Sequence, residues 1–442
     1  MSRRAAIVEG DLRKVVLRMA LPAVGSSLLL TFFTAVDTFW VGRYVGSAGL
    51  AAVTTSLFWV WLIISIAEMV SIGLTAVAAR RYGERRPEEA AHATTNALVL
   101  TLLLGVALAI AGQLGLDAIF ASMQTPAQVT GLGKQYLGTY LWSAPLLFGF
   151  FAVDAAFRAS GDTKTPLLLL AASVSVTLVL DPVLILGLMG MPALGIRGAA
   201  IATVTTRCVC FVIGIVVLAR RGMLRWRGVD WPLIGTMCKV GAPTAATGVV
   251  FSLIYVMITR TTARFGTPAI AALGLGHRVE SWLYMVGVGF GAGAAAIVGQ
   301  NLGAGRVDRA EKAAWITVGY ASVPALVFFV MALTIPERMA MVFTGDPSVV
   351  DEAARYLRIG AWSELAVCTE VVLESALGGA GYTLPPMITS TAITILRIPL
   401  AAWAATQWGT AGIWWVITGT AIARALAMMA IWAHGGWKRR AV

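Results

Sequence analysis

Asp37 and Asp181 stand in apolar, charge-poor stretches with hydroxyl residues beside them: Thr34 and Thr38 flank Asp37, and Thr177 falls one helical turn before Asp181. A carboxylate among hydroxyl oxygens can take up a proton or hold a sodium ion. Two such acids in low-dielectric surroundings do not both ionise easily, which makes proton uptake plausible, although the same oxygens could hold sodium. Helical rise tells whether the groups can meet. If the first apolar helix ends near Arg43 and Tyr44, Asp37 lies about 10 Å inside that end. A helix emerging near Gly187 puts Asp181 at a similar depth, and one entering near Gly198 puts Thr203 about 8 Å down. Three polar groups from three helices then share a layer, as an ion or proton site requires. The structural alternative is that both acids bond neighbouring helices, with Asp181 capping backbone broken by Pro182.

Other acids also fall in apolar sequence, where an ionised carboxylate costs about 2.5 to 3.5 kcal/mol at the bilayer centre and must face protein or water. Glu280 follows His277 and Arg278 and either lines a cavity or forms a buried ion pair. Glu370 and Glu374 are spaced i, i+4, where like charges repel unless one is protonated or a cation lies between them. These three glutamates are substrate-cavity candidates. Asp154 and Arg158, one turn apart, read as a structural pair, while Glu68 and Glu364 have no partner visible in sequence. Cys208, Cys210, Cys238 and Cys368 show no CxxC spacing, the three histidines are scattered, and no HExxH, Walker A or nucleophile elbow occurs. We therefore expect no metal beyond sodium at Asp37 and Asp181, no cofactor beyond a coupling proton or sodium, and no enzyme activity.

Acids so placed need membrane helices to position them. Of 442 residues 58% are hydrophobic and 13% charged, and the mean hydropathy is +0.80, so lipid is the solvent for most of the chain. Apolar stretches predict an all-α integral membrane protein with helices at 15–42, 49–79, 92–115, 135–158, 166–188, 198–219, 233–263, 269–299, 310–335, 355–378, 384–406 and 410–433. Lys and Arg near alternate helix ends number 22 on one side and 8 on the other. By the positive-inside rule both termini are cytoplasmic, in the inner membrane of a prokaryote. The net charge of +12 sits in short loops rather than one patch, which argues against nucleic acid. A monomer is expected.

Shifting the chain by 220 positions lays GSAGLAAV (46–53) on GTPAIAAL (266–273) and GDTKTP (161–166) on GYTLPP (381–386). The same shift places Glu374 over Asp154. One six-helix unit is thus duplicated, with lobes at 1–219 and 233–442 joined by a cytoplasmic linker at 220–232. Arg220, Arg221, Arg225 and Arg227 of the linker are expected to face anionic lipid headgroups.

Several stretches, in order along the chain, resemble the multidrug and toxic compound extrusion (MATE) family. They are LPAVGSSLLLTFFTAVDTFWVG (21–42), FRASGDTKTP (157–166), LDPVLILG (180–187), ALGIRGAAIAT (193–203), GAPTAATGVVFSL (241–253), ALGLGHRVES (272–281), VGQNLGAGR (298–306) and RIPLA (397–401). The resemblance implies two six-helix lobes that exchange protons or sodium for amphipathic, often cationic, organic molecules. It also makes Asp37 similar to the family's helix-one aspartate, Asp181 to its helix-five aspartate, Thr203 to its helix-six threonine and Tyr136 to its helix-four tyrosine. Thr177 stands where the family often has asparagine, which removes an amide oxygen that could ligate sodium. The helix-seven acid of one branch has no counterpart, since 244–251 is uncharged, so coupling is placed in the N-terminal lobe with protons favoured. The rival is a lipid-linked precursor flippase, which would prefer a cavity dominated by arginines.

Overall fold

Where water is absent a chain must satisfy its own backbone hydrogen bonds, so long apolar runs fold as long helices. The computed structural model describes residues 3–122 and 127–440, apart from the side chains at 3–5, 47, 50, 57, 58 and 122. Among the described residues there is no β-strand. The chain opens with α1 (Arg3–Glu9), α2 (Leu12–Tyr44), α3 (Ser47–Gly83), α4 (Pro87–Ser122) and α5 (Ala127–Ala159). It continues with α6 (Lys164–Leu186), α7 (Ile196–Arg220), α8 (Trp231–Ala263) and α9 (Thr267–Gly303). The last elements are α10 (Val307–Thr334), the short α11 (Pro336–Met341), α12 (Pro347–Gly379) and α13 (Leu384–His434).

Ten of these helices, among the described residues, are long and apolar enough to span a bilayer. The expected twelve follow from two physical details. α13 is 51 residues long and breaks at Gly409, whose φ of 61° and ψ of −143° suit glycine, so its two arms are separate crossings. α12 has the length but carries Glu364, Glu370 and Glu374; Glu364 and Glu370 are buried against protein, so the helix need not be apolar all round. α1 was not expected. Arg306, just before α10, and Arg309 of α10 hold it by donating to the carbonyls of Val8, Ile7 and Gly10.

The 220-residue repeat is visible in the helix boundaries. Ser47–Gly83 and Thr267–Gly303 stand 220 apart at both ends, as do Ala127–Ala159 and Pro347–Gly379. Gly46 and Gly266, which precede α3 and α9, share the same backbone conformation, with φ of 85° and 89°. In the matching turns after these helices, Gly305 has a φ of 72° while Arg85 adopts 63° without being glycine.

The chain packs as two compact units, Gly25–Ala242 with the first few residues, and Ala5–Val24 with Pro243 to the C-terminal end. α2 and α8 change units partway, next to their internal prolines Pro22 and Pro243. The first unit centres on α5, which packs against α3, α4 and α7 and buries two thirds (67%) of its apolar window. Residues 220–232 lie wholly inside this unit. Their arginines pair with protein acids: Arg221 with Asp162 at 2.6 Å, and Arg225 and Arg227 with Glu88 at 3.0 and 2.7 Å. Acids of the same unit thus hold these three side chains, which stay partly exposed. The second unit centres on α9 and α12, which approach so closely that a Cβ on Gly379 would strike the Ala295 carbonyl.

Candidate functional site

The first unit brings Asp37, Tyr136, Asp181 and Thr203 together from α2, α5, α6 and α7. Asp37 is 5% exposed and Asp181 0%, so neither carboxylate is solvated by bulk water. Tyr136 donates its hydroxyl to Asp37 Oδ2 at 3.4 Å, and Asp181 lies within electrostatic reach of Asp37. Among the described residues, Asp37 Oδ1, both oxygens of Asp181 and Thr203 Oγ1 have no hydrogen-bond partner. Unpartnered buried oxygens are costly, and anionic ones most of all. A proton or an alkali cation would relieve that cost, so the cluster can take up positive charge.

The threonines beside the acids play other parts. Thr34 and Thr38 donate to the carbonyls of Leu30 and Thr34. Thr177 Oγ1 sits 2.8 Å from the Ser173 carbonyl and 2.7 Å from Thr206 Oγ1. Two residues that sequence reasoning passed over complete the cluster. Tyr140, one turn beyond Tyr136 with its ring 5.1 Å away, reaches toward Tyr136 and Thr203. Arg207, one turn beyond Thr203, interacts electrostatically with Asp37 and packs against Phe33 and Phe150 at 5.7 and 6.0 Å. Helical spacing from Thr203 was the signal for Arg207: an arginine inside an apolar helix on the face of a suspected site.

The second unit holds a different network. Glu280 of α9 accepts from the Tyr356 hydroxyl at 2.9 Å and lies 3.7 Å from His277 Nδ1. Glu364 of α12 and Arg397 of α13 are within electrostatic reach of Glu280. Arg397 itself donates to Thr420 at 2.8 Å. One turn beyond Glu370 on α12 is Glu374, and Arg424 meets Glu370 at 3.0 Å while acting electrostatically on Glu374. Ser390 donates to the other Glu370 oxygen at 3.5 Å. The like charges on α12 are thus offset by a guanidinium from α13. In the first unit Asp154 pairs with Arg158 at 2.5 Å, and Arg158 also donates to Ser71 and interacts with Glu68. No group of three or more His, Cys, Asp or Glu with metal-binding geometry occurs among the described residues.

Comparison with known proteins agrees with this architecture. A probable multidrug resistance protein NorM of Thermotoga maritima is 28% identical over 447 residues, covering 98% of this chain and 94% of its own. An FAD transporter of Shewanella oneidensis is 25% identical over 410 residues, covering 91% and 90%. A solved MATE structure in the straight conformation superposes with a TM-score of 0.91 over 99% of both chains at 20% identity, a likeness of fold. The family model described as MatE matches residues 22–183 and 243–403, one segment in each repeat and together more than half of the chain. The chain therefore belongs to the MatE family, the multidrug and toxic compound extrusion transporters.

Proposed function

We propose that this transporter is a secondary active antiporter, exporting amphipathic, cationic organic molecules across the cytoplasmic membrane of a prokaryote in exchange for protons by alternating access. The observation that carries the reading is the set of unpartnered buried oxygens on Asp37, Asp181 and Thr203. Such a site holds its proton or yields it according to whether water can reach it, and that coupling is what antiport needs. Protons are favoured over sodium because the Thr177 oxygen is engaged with Thr206 and Ser173, and because Arg207 already supplies a positive charge near Asp37. About 150 mV of driving force is worth about 3.5 kcal/mol per charge, enough for a few-hundred-fold gradient for each coupled ion. Both termini face the cytoplasm, and the protein works as a monomer without cofactor, nucleic acid or enzymatic step.

The test is uptake of a fluorescent organic cation into proteoliposomes under an imposed pH gradient and then a sodium gradient. We expect uptake with the pH gradient. Uptake only with sodium would replace the coupling ion, and none under either gradient, with the protein folded, would overturn the antiport reading in favour of a lipid-linked precursor flippase.

A further inference from the structure

Arg278 is a buried-depth cation that the antiport reading leaves unused. It lies 11 residues after the start of α9, about 16 Å along the axis and so near mid-membrane, yet its side chain is exposed rather than packed. Among the described residues no carboxylate lies within ion-pair distance of it, in contrast to Arg424 and Arg158, which have acids at 3.0 and 2.5 Å. A guanidinium at that depth needs protein, water or a bound anion beside it.

Arg278 lines a cavity of about 400 Å³ together with Phe251 and Tyr255 of α8 and Gly274, His277 and Ser281 of α9. Two aromatic rings form part of the wall, with Tyr255 edge-on to His277 at 4.6 Å. A Cβ on Gly274 would meet nothing within 4 Å, so the helix leaves open space there. The charges behind the wall are spoken for: Glu280 by Tyr356 and His277, and Glu370 by Arg424, which also packs against Phe251 at 6.0 Å. None of the interior carboxylates lines the cavity, while Arg278 and His277 do.

We propose that this cavity is a substrate subsite for the oxyanion of an amphipathic aromatic molecule, with Arg278 as its anion-binding residue. A guanidinium offers a carboxylate two parallel hydrogen bonds, while Phe251 and Tyr255 give the aromatic body a surface to lie on. Ser281 stands beside it as a further hydroxyl donor once its bond to the Arg278 carbonyl at 2.7 Å is released. The inference rests on the export reading and sharpens it: zwitterions that carry an acid as well as a cationic group are bound in preference to simple cations.

The test is equilibrium binding, by fluorescence anisotropy in lipid nanodiscs, of a carboxylate-bearing rhodamine and of its methyl ester, which keep the same cationic ring system. The full-length wild type is expected to bind the free acid about tenfold more tightly than the ester. Arg278→Gln should bring the acid down to the affinity of the ester, Arg278→Lys should restore part of the preference, and Gly274→Phe should weaken both dyes by filling the cavity. Equal binding of the two dyes by wild type, a preference that survives Arg278→Gln, or no binding of either dye would each overturn the subsite. Binding needs no gradient, so such a failure is separate from failure of antiport, which gradient-driven uptake of the ester reads.

Discussion

A buried carboxylate oxygen without a hydrogen-bond partner is costly, and the Asp37, Asp181 and Thr203 cluster presents several such oxygens in one place. Tyr136 touches only one of them, through a long bond of 3.4 Å, so it orients Asp37 without satisfying it. Tyr136→Phe is therefore expected to lower gradient-driven uptake several-fold while changing stability by no more than about 1 kcal/mol, read by transport and thermal unfolding of the same preparation. Asp37, Asp181 and Thr203 were legible in the sequence because carboxylates in apolar helices are rare and helical rise gives their depth. Thr34, Thr38 and Thr177 were legible as neighbours of the acids, but the direction in which a hydroxyl points depends on rotamer, and theirs point to backbone carbonyls and to Thr206. Glu280 and Tyr356 are separated by 76 residues, and no local pattern announces such a bond.

At the scale of elements, caps and close approaches set what α12 tolerates. Asp346 caps it, accepting from the Ser348 backbone N–H at 2.9 Å and hydroxyl at 2.7 Å, and these bonds hold the carboxyl below its ordinary value of 3.8. Because the folded value is the lower one, the cap's contribution is complete above pH 3.8 and is lost as pH falls through the folded value. Asp346→Ala should lower the melting temperature at neutral pH, and the gap from wild type should close in acid. At the other end, Gly379→Ala sets a methyl against the Ala295 carbonyl and should cost about 1 to 3 kcal/mol, seen in the same melts. Arg85, held at a φ of 63° where the matching residue is Gly305, predicts that Arg85→Gly is neutral or stabilising. Helix existence and order were readable from hydropathy. The break at Gly409 falls between the expected spans 384–406 and 410–433, whereas the pinned α1 was not read, since it depends on arginines about 300 residues away.

For the whole molecule, duplication accounts for both what is shared and what differs. The two repeats match in the lengths of α3 and α9 and of α5 and α12 and in the glycines before α3 and α9, yet one buries unpartnered carboxylates and the other pairs Glu370 with an arginine and Glu280 with a tyrosine. A shared fold with divergent interiors suits a division of labour between coupling ion and substrate. The proposed orientation, with both termini in the cytoplasm, follows from the charge bias of the loops and can be tested directly. In a cysteine-free background, Trp226→Cys, at a position 62% exposed, should react with an impermeant thiol reagent only after cells are opened, while Gly345→Cys should react in intact cells. The most direct test of the account records internal pH and dye uptake together in proteoliposomes of wild type and Asp37→Asn. Wild type should move protons out as dye moves in, and the variant, folded and able to bind dye, should show neither coupled flux. An Asp37→Asn protein that exchanges dye for protons at the wild-type rate would contradict the assignment of coupling to this site.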